Sequence, residues 1–415
     1  MGCCLSSLKD SVKSFESVVD TYDKNSSSLI FSRSGILVNH LFTLPGTADK
    51  DILLGDGTNK ISSWVLNGPK PMELHSVWLI SMLKPIRSNI DTICLLARLI
   101  SIVELQDPLD GHTTLRQTLY DAGAPEILSK ILQHHNSCPE IIIHVIYILT
   151  HLTFNDGFSY DIVSQTLPQF LDILQIIRTE KWEGDVNSAL YCAIWRFIFV
   201  SSSDSVRVAE QWVDSNIGHQ IINYLRTQKL DEYTEGWGFA ALRFLIKSNI
   251  ETCKEYCNLG LVDLTLQRLK ASSDSFLLEC LLAILATVMI TMEDYVINDP
   301  IVLKDIIRIT MDHITEGSLI FYALIILIFA CRRTNVYCHV ITAADAHSLI
   351  HLINITHNDN IIYPDLIYMA RNLEKYICTC CLNIGLVRVT KENPTISLPN
   401  DPSKFIKNKK LGLNS

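Results

Sequence analysis

The feature that most constrains this chain is a recurrence. From about residue 72 to about residue 385 apolar residues fall at helical spacing, and Gly, Pro, Asn and Asp interrupt them at intervals of about 40 residues. A unit of that size cannot bury its own apolar face, so it must stack on its neighbours. The clearest unit starts Asp121-Ala-Gly-Ala-Pro-Glu-Ile-Leu and continues, after a turn, from Pro139 to Thr153. Gly123 ends one helix, and Pro125 occupies the first turn of the next, where its missing N–H costs nothing. Ile127, Leu128, Ile131 and Leu132 make one buried stripe; Ile142, Val145, Ile146, Leu149 and Leu152 make another on a longer helix. Further second helices are predicted near Leu167, Asn216, Gly260, Asp299 and Ala344, in steps of 44, 49, 44, 39 and 45 residues from Gly123. Each follows a shorter segment, such as Val206 to Val213, Glu251 to Asn258 or Val336 to Thr342, and precedes a longer apolar helix. With an upstream unit over Met72 to Val103, the expectation is an all-α solenoid of about six to seven repeats.

Composition agrees with a folded array. Hydrophobic residues make up 48% and charged residues 19%, enough apolar surface for a continuous core. The net charge of −9 and the lack of a long basic block argue against nucleic acid as a partner. The 13 cysteines form no framework and no secretory h-region opens the chain, so they read as reduced thiols. The strongly apolar stretches Phe276 to Ile290 and Leu319 to Cys331 are shorter than the roughly 20 residues a membrane span needs, and read as innermost core helices.

The chain opens Met1-Gly2-Cys3-Cys4-Leu5-Ser6, which fits M-G-x-x-x-[ST], with Gly2 as the myristate acceptor. One myristoyl chain binds membranes only reversibly, with K of about 10⁴ M⁻¹, so a stable anchor needs a second signal. Cys3 and Cys4 are palmitoylatable and supply it better than Lys9 and Lys13, which Asp10 separates. Residues 1–24 are therefore expected to anchor the chain on the cytosolic face of a membrane. Val12, Phe15, Val18, Val19 and Tyr22 fit either a short amphipathic helix on the bilayer or docking on the first repeat. Residues 25–71 read as a polar linker, 72–385 as the repeat domain and 386–415 as a basic disordered tail.

No G-x-S-x-G elbow, Walker loop or H-E-x-x-H helix is present, so neither an enzyme, a cofactor nor a small-molecule substrate is expected. His347 and His351 share a helix face at ligand spacing but lack further ligands to complete a metal shell. Cys378, Cys380 and Cys381 lack C-x-x-C spacing and read as small core residues.

The Ala-Gly-Ala-Pro-Glu-Ile-Leu start and Ile-Leu-Thr-His-Leu end of the 121–153 unit resemble armadillo repeats, with HEAT-type repeats as the nearest rival. Together with the Met1-Gly2-Cys3-Cys4 opening, the chain is similar to the acylated armadillo proteins of the yeast vacuole and the armadillo-repeats-only proteins of apicomplexans. The resemblance implies a right-handed armadillo solenoid that recruits partner proteins to an organelle surface, vacuolar or endolysosomal, or to the plasma membrane. It also implies a concave groove lined by the long third helices, where an Asn late in each helix clamps an extended peptide. Aligned to that position are His151, then Arg196 in Ala193-Ile-Trp195-Arg196-Phe197, Arg243 in the adjacent unit, and Asn372 in Ala370-Arg-Asn-Leu373. His151, Trp195, Arg196, Arg243 and Asn372 are thus the candidate partner-binding residues. The alternative is that the two arginines pair with neighbouring carboxylates or snorkel from the core. Rival functions are a regulatory subunit of a membrane enzyme or pump, and a soluble helical-repeat transport receptor.

Overall fold

A computed structural model describes residues 71–383, apart from 105–112, 154–157, 180, 181, 183, 204, 293, 294, 296, 298 and 359–364. Gly2, Cys3, Cys4, the linker and the tail therefore lie outside the described residues. Among those described, all regular structure is helical, in eighteen helices with no strand. The first six are α1 (Pro71–Leu83), α2 (Asn89–Glu104), α3 (Thr113–Asp121), α4 (Ala124–His134), α5 (Pro139–Thr153) and α6 (Ser159–Thr179). The next six are α7 (Gly184–Ser203), α8 (Val206–Asp214), α9 (Ile217–Thr227), α10 (Glu232–Ser248), α11 (Ile250–Asn258) and α12 (Leu261–Ala271). The last six are α13 (Ser275–Thr291), α14 (Ile301–Asp312), α15 (Gly317–Arg333), α16 (Asn335–Ala343), α17 (Ala346–Thr356) and α18 (Asp365–Asn383).

Four units share one local design: a nine-residue helix, a two-residue link, an eleven-residue helix and then a long helix. The second link residue is left-handed each time, at Gly123 (φ 78°), Asn216 (φ 58°), Gly260 (φ 81°) and Asp345 (φ 65°). Gly has no Cβ to clash there, and Asn and Asp tolerate the region better than other residues. The junction sets the sharp turn between the two short helices.

Two expected junctions differ. Near Leu167 the short and second helices fuse into the 21-residue α6, which runs through Pro168. Thr166-Leu167-Pro168 offers no residue suited to a left-handed turn, so the helix continues despite the hydrogen bond lost at Pro168. Near Asp299 the second helix begins at Ile301, whose N–H the Asp299 carboxylate accepts at 3.0 Å, and no nine-residue helix is described before it. The second helix of the last unit starts at Ala346, two residues beyond Ala344, because Asp345 takes the left-handed turn.

Seven long helices, α2, α5, α7, α10, α13, α15 and α18, pack each on the next in chain order, and the shorter helices pack on their own and adjacent units. The principal contacts run between neighbours along the chain, an arrangement compatible with a helical solenoid. Thr234–Ile246 of α10, Leu277–Met289 of α13 and Gly317–Ile328 of α15 are buried without interruption. These are helices apolar nearly all round, and such helices are buried on every side. The apolar stretches noted in the sequence are thus the innermost helices, and among the described residues no helix is long and apolar enough to cross a membrane. Cys378, by contrast, is exposed on α18, and the side chains of Cys380 and Cys381 fall outside the described residues.

Polar ties stitch the layers. Asp231 caps α10 by accepting the Thr234 N–H at 2.8 Å, and it also accepts the Ser188 hydroxyl of α7. Arg268 of α12 pairs with Glu235 of α10 at 3.1 Å and donates to the Leu225 carbonyl of α9 at 3.1 Å. Arg333 of α15 donates to the Met289 and Met292 carbonyls at 2.7 and 3.0 Å, satisfying the C-terminus of α13.

Candidate partner-binding site

The long helices carry two arginines and a histidine set among aromatic rings. Arg196 of α7 places its guanidinium 5.5 Å from the ring centre of Tyr147 on α5 and 5.7 Å from that of Trp237 on α10. One cation therefore bridges three successive long helices. On α10, Arg243 lies 4.7 Å from the Tyr322 ring of α15 and 5.3 Å from that of Phe244, and its Nε donates to the Thr287 hydroxyl of α13 at 3.4 Å. A cation over a desolvated ring face is worth about 2 kcal/mol, so these contacts brace the stack as well as placing charge in it. His151 stacks at a tilt on Tyr147, ring centres 4.6 Å apart. Its imidazole is held well below the usual histidine range, first by burial and then by the positive charges of Arg196 and Arg116, so it is neutral at pH 7.

The sequence placed five residues in one groove; the structure divides them. His151, Arg196 and Arg243 form the row, but their side chains are 9%, 5% and 5% exposed. Trp195 follows a different direction around α7. It is 1% exposed, stacks on Tyr191 at 5.3 Å and fills the space over Gly238, where a Cβ would come within 2.9 Å of its ring. Trp195 is therefore a packing wedge between α7 and α10. Asn372 is half-buried on α18, which packs on α15, α16 and α17. The arginines fit the snorkelling alternative in part, since rings and a hydroxyl surround them.

Sequence reasoning missed Tyr147, Trp237 and Tyr322, the rings that hold the cations. The available signal was an aromatic residue one helical turn before His151, namely Tyr147. Other ionisable groups in the stack are set by burial. Burial pushes the Cys192 thiol up to about 12, and it likewise raises Cys280. These thiols are protonated and inert near neutrality. His347 and His351 are exposed, and among the described residues no cluster of three His, Cys, Asp or Glu side chains could hold a metal ion.

No family model matches the chain, and no curated protein matches its sequence. Among solved structures it is similar to an engineered protein, with a TM-score of 0.51 at 12% identity over 79% of this chain and 86% of that one. The likeness is one of fold alone. A second engineered protein covers 79% of this chain and 98% of its own length at 10% identity, but its TM-score of 0.31 carries no weight.

Proposed function

We propose that this chain is a lipid-anchored adaptor: a right-handed armadillo-type solenoid of six to seven repeats, held by acyl groups on Gly2 and on Cys3 or Cys4, that recruits partner proteins to the cytosolic face of an organelle or plasma membrane. The observation that supports it best is the ordered stack of seven long helices, each packed on the next. Such stacks generate long surfaces whose use is to hold other proteins. The two acyl signals favour a tethered adaptor over a soluble receptor. The stack of aromatic-clasped arginines favours a stiff scaffold, in which Arg196 and Arg243 support the binding face from beneath. For that reason a charge reversal at either arginine would disturb the stack itself, and the test belongs at the anchor.

Replacing Gly2 by Ala should move the full-length protein from membranes to the soluble fraction of its own cell, together with any partner it recruits. A change of Cys3 and Cys4 to Ser should weaken attachment to the reversible level of a single chain. A protein carrying all three changes that still sediments with membranes would refute the anchor.

A further inference from the structure

A cavity of about 320 Å³ opens between the loop joining α1 to α2 and the helix α4. Its size suits a single sugar-phosphate group, at the lower end of the range for small-ligand sites. Lys84 and Arg87 from the loop and Lys130 and His134 from α4 line it, with one carboxylate, Glu126. Three permanent cations thus converge on one anion, in a chain whose net charge is −9.

The arrangement is not an internal salt-bridge network. Glu126 takes Lys130 at 2.7 Å as an i, i+4 pair. Among the described residues Lys84, Arg87 and His134 make no ion pair within 4 Å. Lys130 above all, against a small opposing effect of burial, and then Lys84 hold the Glu126 carboxyl below its usual range, so these two cations act on the same carboxylate. Arg87 is held on the loop by Met82: its Nε donates to the Met82 carbonyl at 2.6 Å and one terminal nitrogen lies 3.9 Å from the Met82 sulfur, which leaves its other terminal nitrogen without a partner among the described residues. His135, a buried residue of the cavity lining, donates from Nδ1 to the Asn89 side-chain oxygen at 2.8 Å.

Two apolar residues of the same segment are exposed, and of the two Ile86 lines the cavity. Ile86, on the same loop, and Ile90, at the start of α2, are each 69% exposed. A basic pocket with an apolar lip is the combination that suits an anionic headgroup whose acyl chains lie alongside; a soluble phosphate or an acidic peptide would have no use for the lip.

We propose that this cavity binds the phosphorylated headgroup of a membrane lipid, with Lys84, Arg87 and Lys130 on the phosphate and Ile86 and Ile90 dipping into the lipid interface. The site goes beyond the adaptor reading, adding a headgroup contact that selects the membrane and fixes the orientation of the repeats on it. It would act at the end of the array nearer the N-terminal segment.

The test uses full-length protein carrying Gly2→Ala, so that no acyl chain contributes and the pocket and the anchor can fail separately. Its binding is measured to phosphatidylcholine vesicles carrying a phosphatidylinositol phosphate, and to phosphatidylserine vesicles of equal charge. The site predicts clear preference for the phosphoinositide. At about a fivefold effect per basic contact, Lys84→Gln with Arg87→Gln should weaken that binding roughly twenty-five-fold at unchanged thermal unfolding. Lys84→Gln alone, at an exposed residue, serves if the pair alters the fold. Ile86→Ser with Ile90→Ser should weaken vesicle binding while leaving the affinity for soluble inositol phosphate intact. Equal binding to both vesicle types, or no loss in the lysine and arginine variants, would overturn the site. Soluble inositol phosphate bound as tightly as vesicles, with the isoleucine changes silent, would overturn the lipid as ligand. So would tighter binding of a phosphoserine peptide.

Discussion

Burial of His151 makes the stability of the stack depend on pH, with a sign that the structure fixes. In the unfolded chain its imidazole titrates near 6.5. In the fold, burial first and the charges of Arg196 and Arg116 next hold it well below that value. As pH falls below 6.5 the unfolded chain takes up a proton that the folded chain refuses, so stability drops; above that pH the histidine contributes no dependence. The slope approaches 1.36 kcal/mol per pH unit, which integrates to about 2 kcal/mol between pH 7.5 and 5 while the folded imidazole stays neutral. His135, lowered by burial and by His134, adds in the same direction. Glu235, raised by burial, acts oppositely, because the folded state then binds the extra proton as pH falls toward the carboxylate range. A variant isolates the His151 share. His151→Asn keeps a polar side chain that does not titrate, and urea unfolding of both proteins at pH 7.5 and 5 gives the difference of the two changes. A difference of about 2 kcal/mol is expected, with the variant the less pH-sensitive. Equal pH dependence in both would mean that the folded imidazole protonates freely, and the buried row would have to be abandoned.

Three substitutions test the joints between units. The Tyr256 hydroxyl is buried and meets no hydrogen-bond partner among the described residues, so Tyr256→Phe should raise stability by about 1 kcal/mol in urea unfolding. A Cβ at Gly218 would overlap that same ring, so Gly218→Ala should destabilise by about 2 kcal/mol, overpacking outweighing the gain of about 1 kcal/mol in helix propensity. Asp231→Ala removes an N-cap and the Ser188 tie between α7 and α10, at a cost of about 1–2 kcal/mol. Burial pushes this carboxyl up, but the hydrogen bonds from Ser188 and Thr234 outweigh it and hold it below its usual range. The stability it confers is therefore present at neutral pH and is lost as pH falls through its folded value, and a wild-type protein whose stability relative to Asp231→Ala did not shrink on acidification would contradict the cap.

The units were legible where a turn residue advertised itself. Gly123, Asn216 and Gly260 each mark a left-handed link, because few other side chains accept that backbone, and the helices they separate fall where the apolar spacing put them. At Leu167 the spacing suggested a boundary, but local chemistry ruled. A helix crosses a proline when nothing nearby stabilises a turn, and no count of residues per unit could reveal that the two segments fuse. The shift from Ala344 to Asp345 has the same origin: the apolar pattern locates a junction to within a residue or two, and the side chain able to turn left decides the rest.

The row of His151, Arg196 and Arg243 was legible in position, while its depth stayed open between an exposed groove and arginines snorkelling from the core. Aligning late positions of successive long helices finds His151, Arg196 and Arg243, because an array repeats its side-chain directions from unit to unit. What that alignment cannot carry is the depth of each position, which depends on ring partners contributed by other units. Tyr147 comes from the unit before Arg196 and Trp237 from the unit after it, while Tyr322 reaches Arg243 from two long helices further on. An arginine clasped in this way keeps its charge at little exposure, since the ring faces replace part of its lost hydration. Trp195 and Arg196 show the cost of reading neighbours as a pair: adjacent residues on a helix point about 100° apart, so one meets the rings of the row and the other wedges over Gly238. The basic cavity escaped for the converse reason. Lys84, Arg87 and Lys130 come from a loop and a helix some 40 residues apart, and only the turn at Gly123 swings α4 back to the loop that carries the rest of the charge.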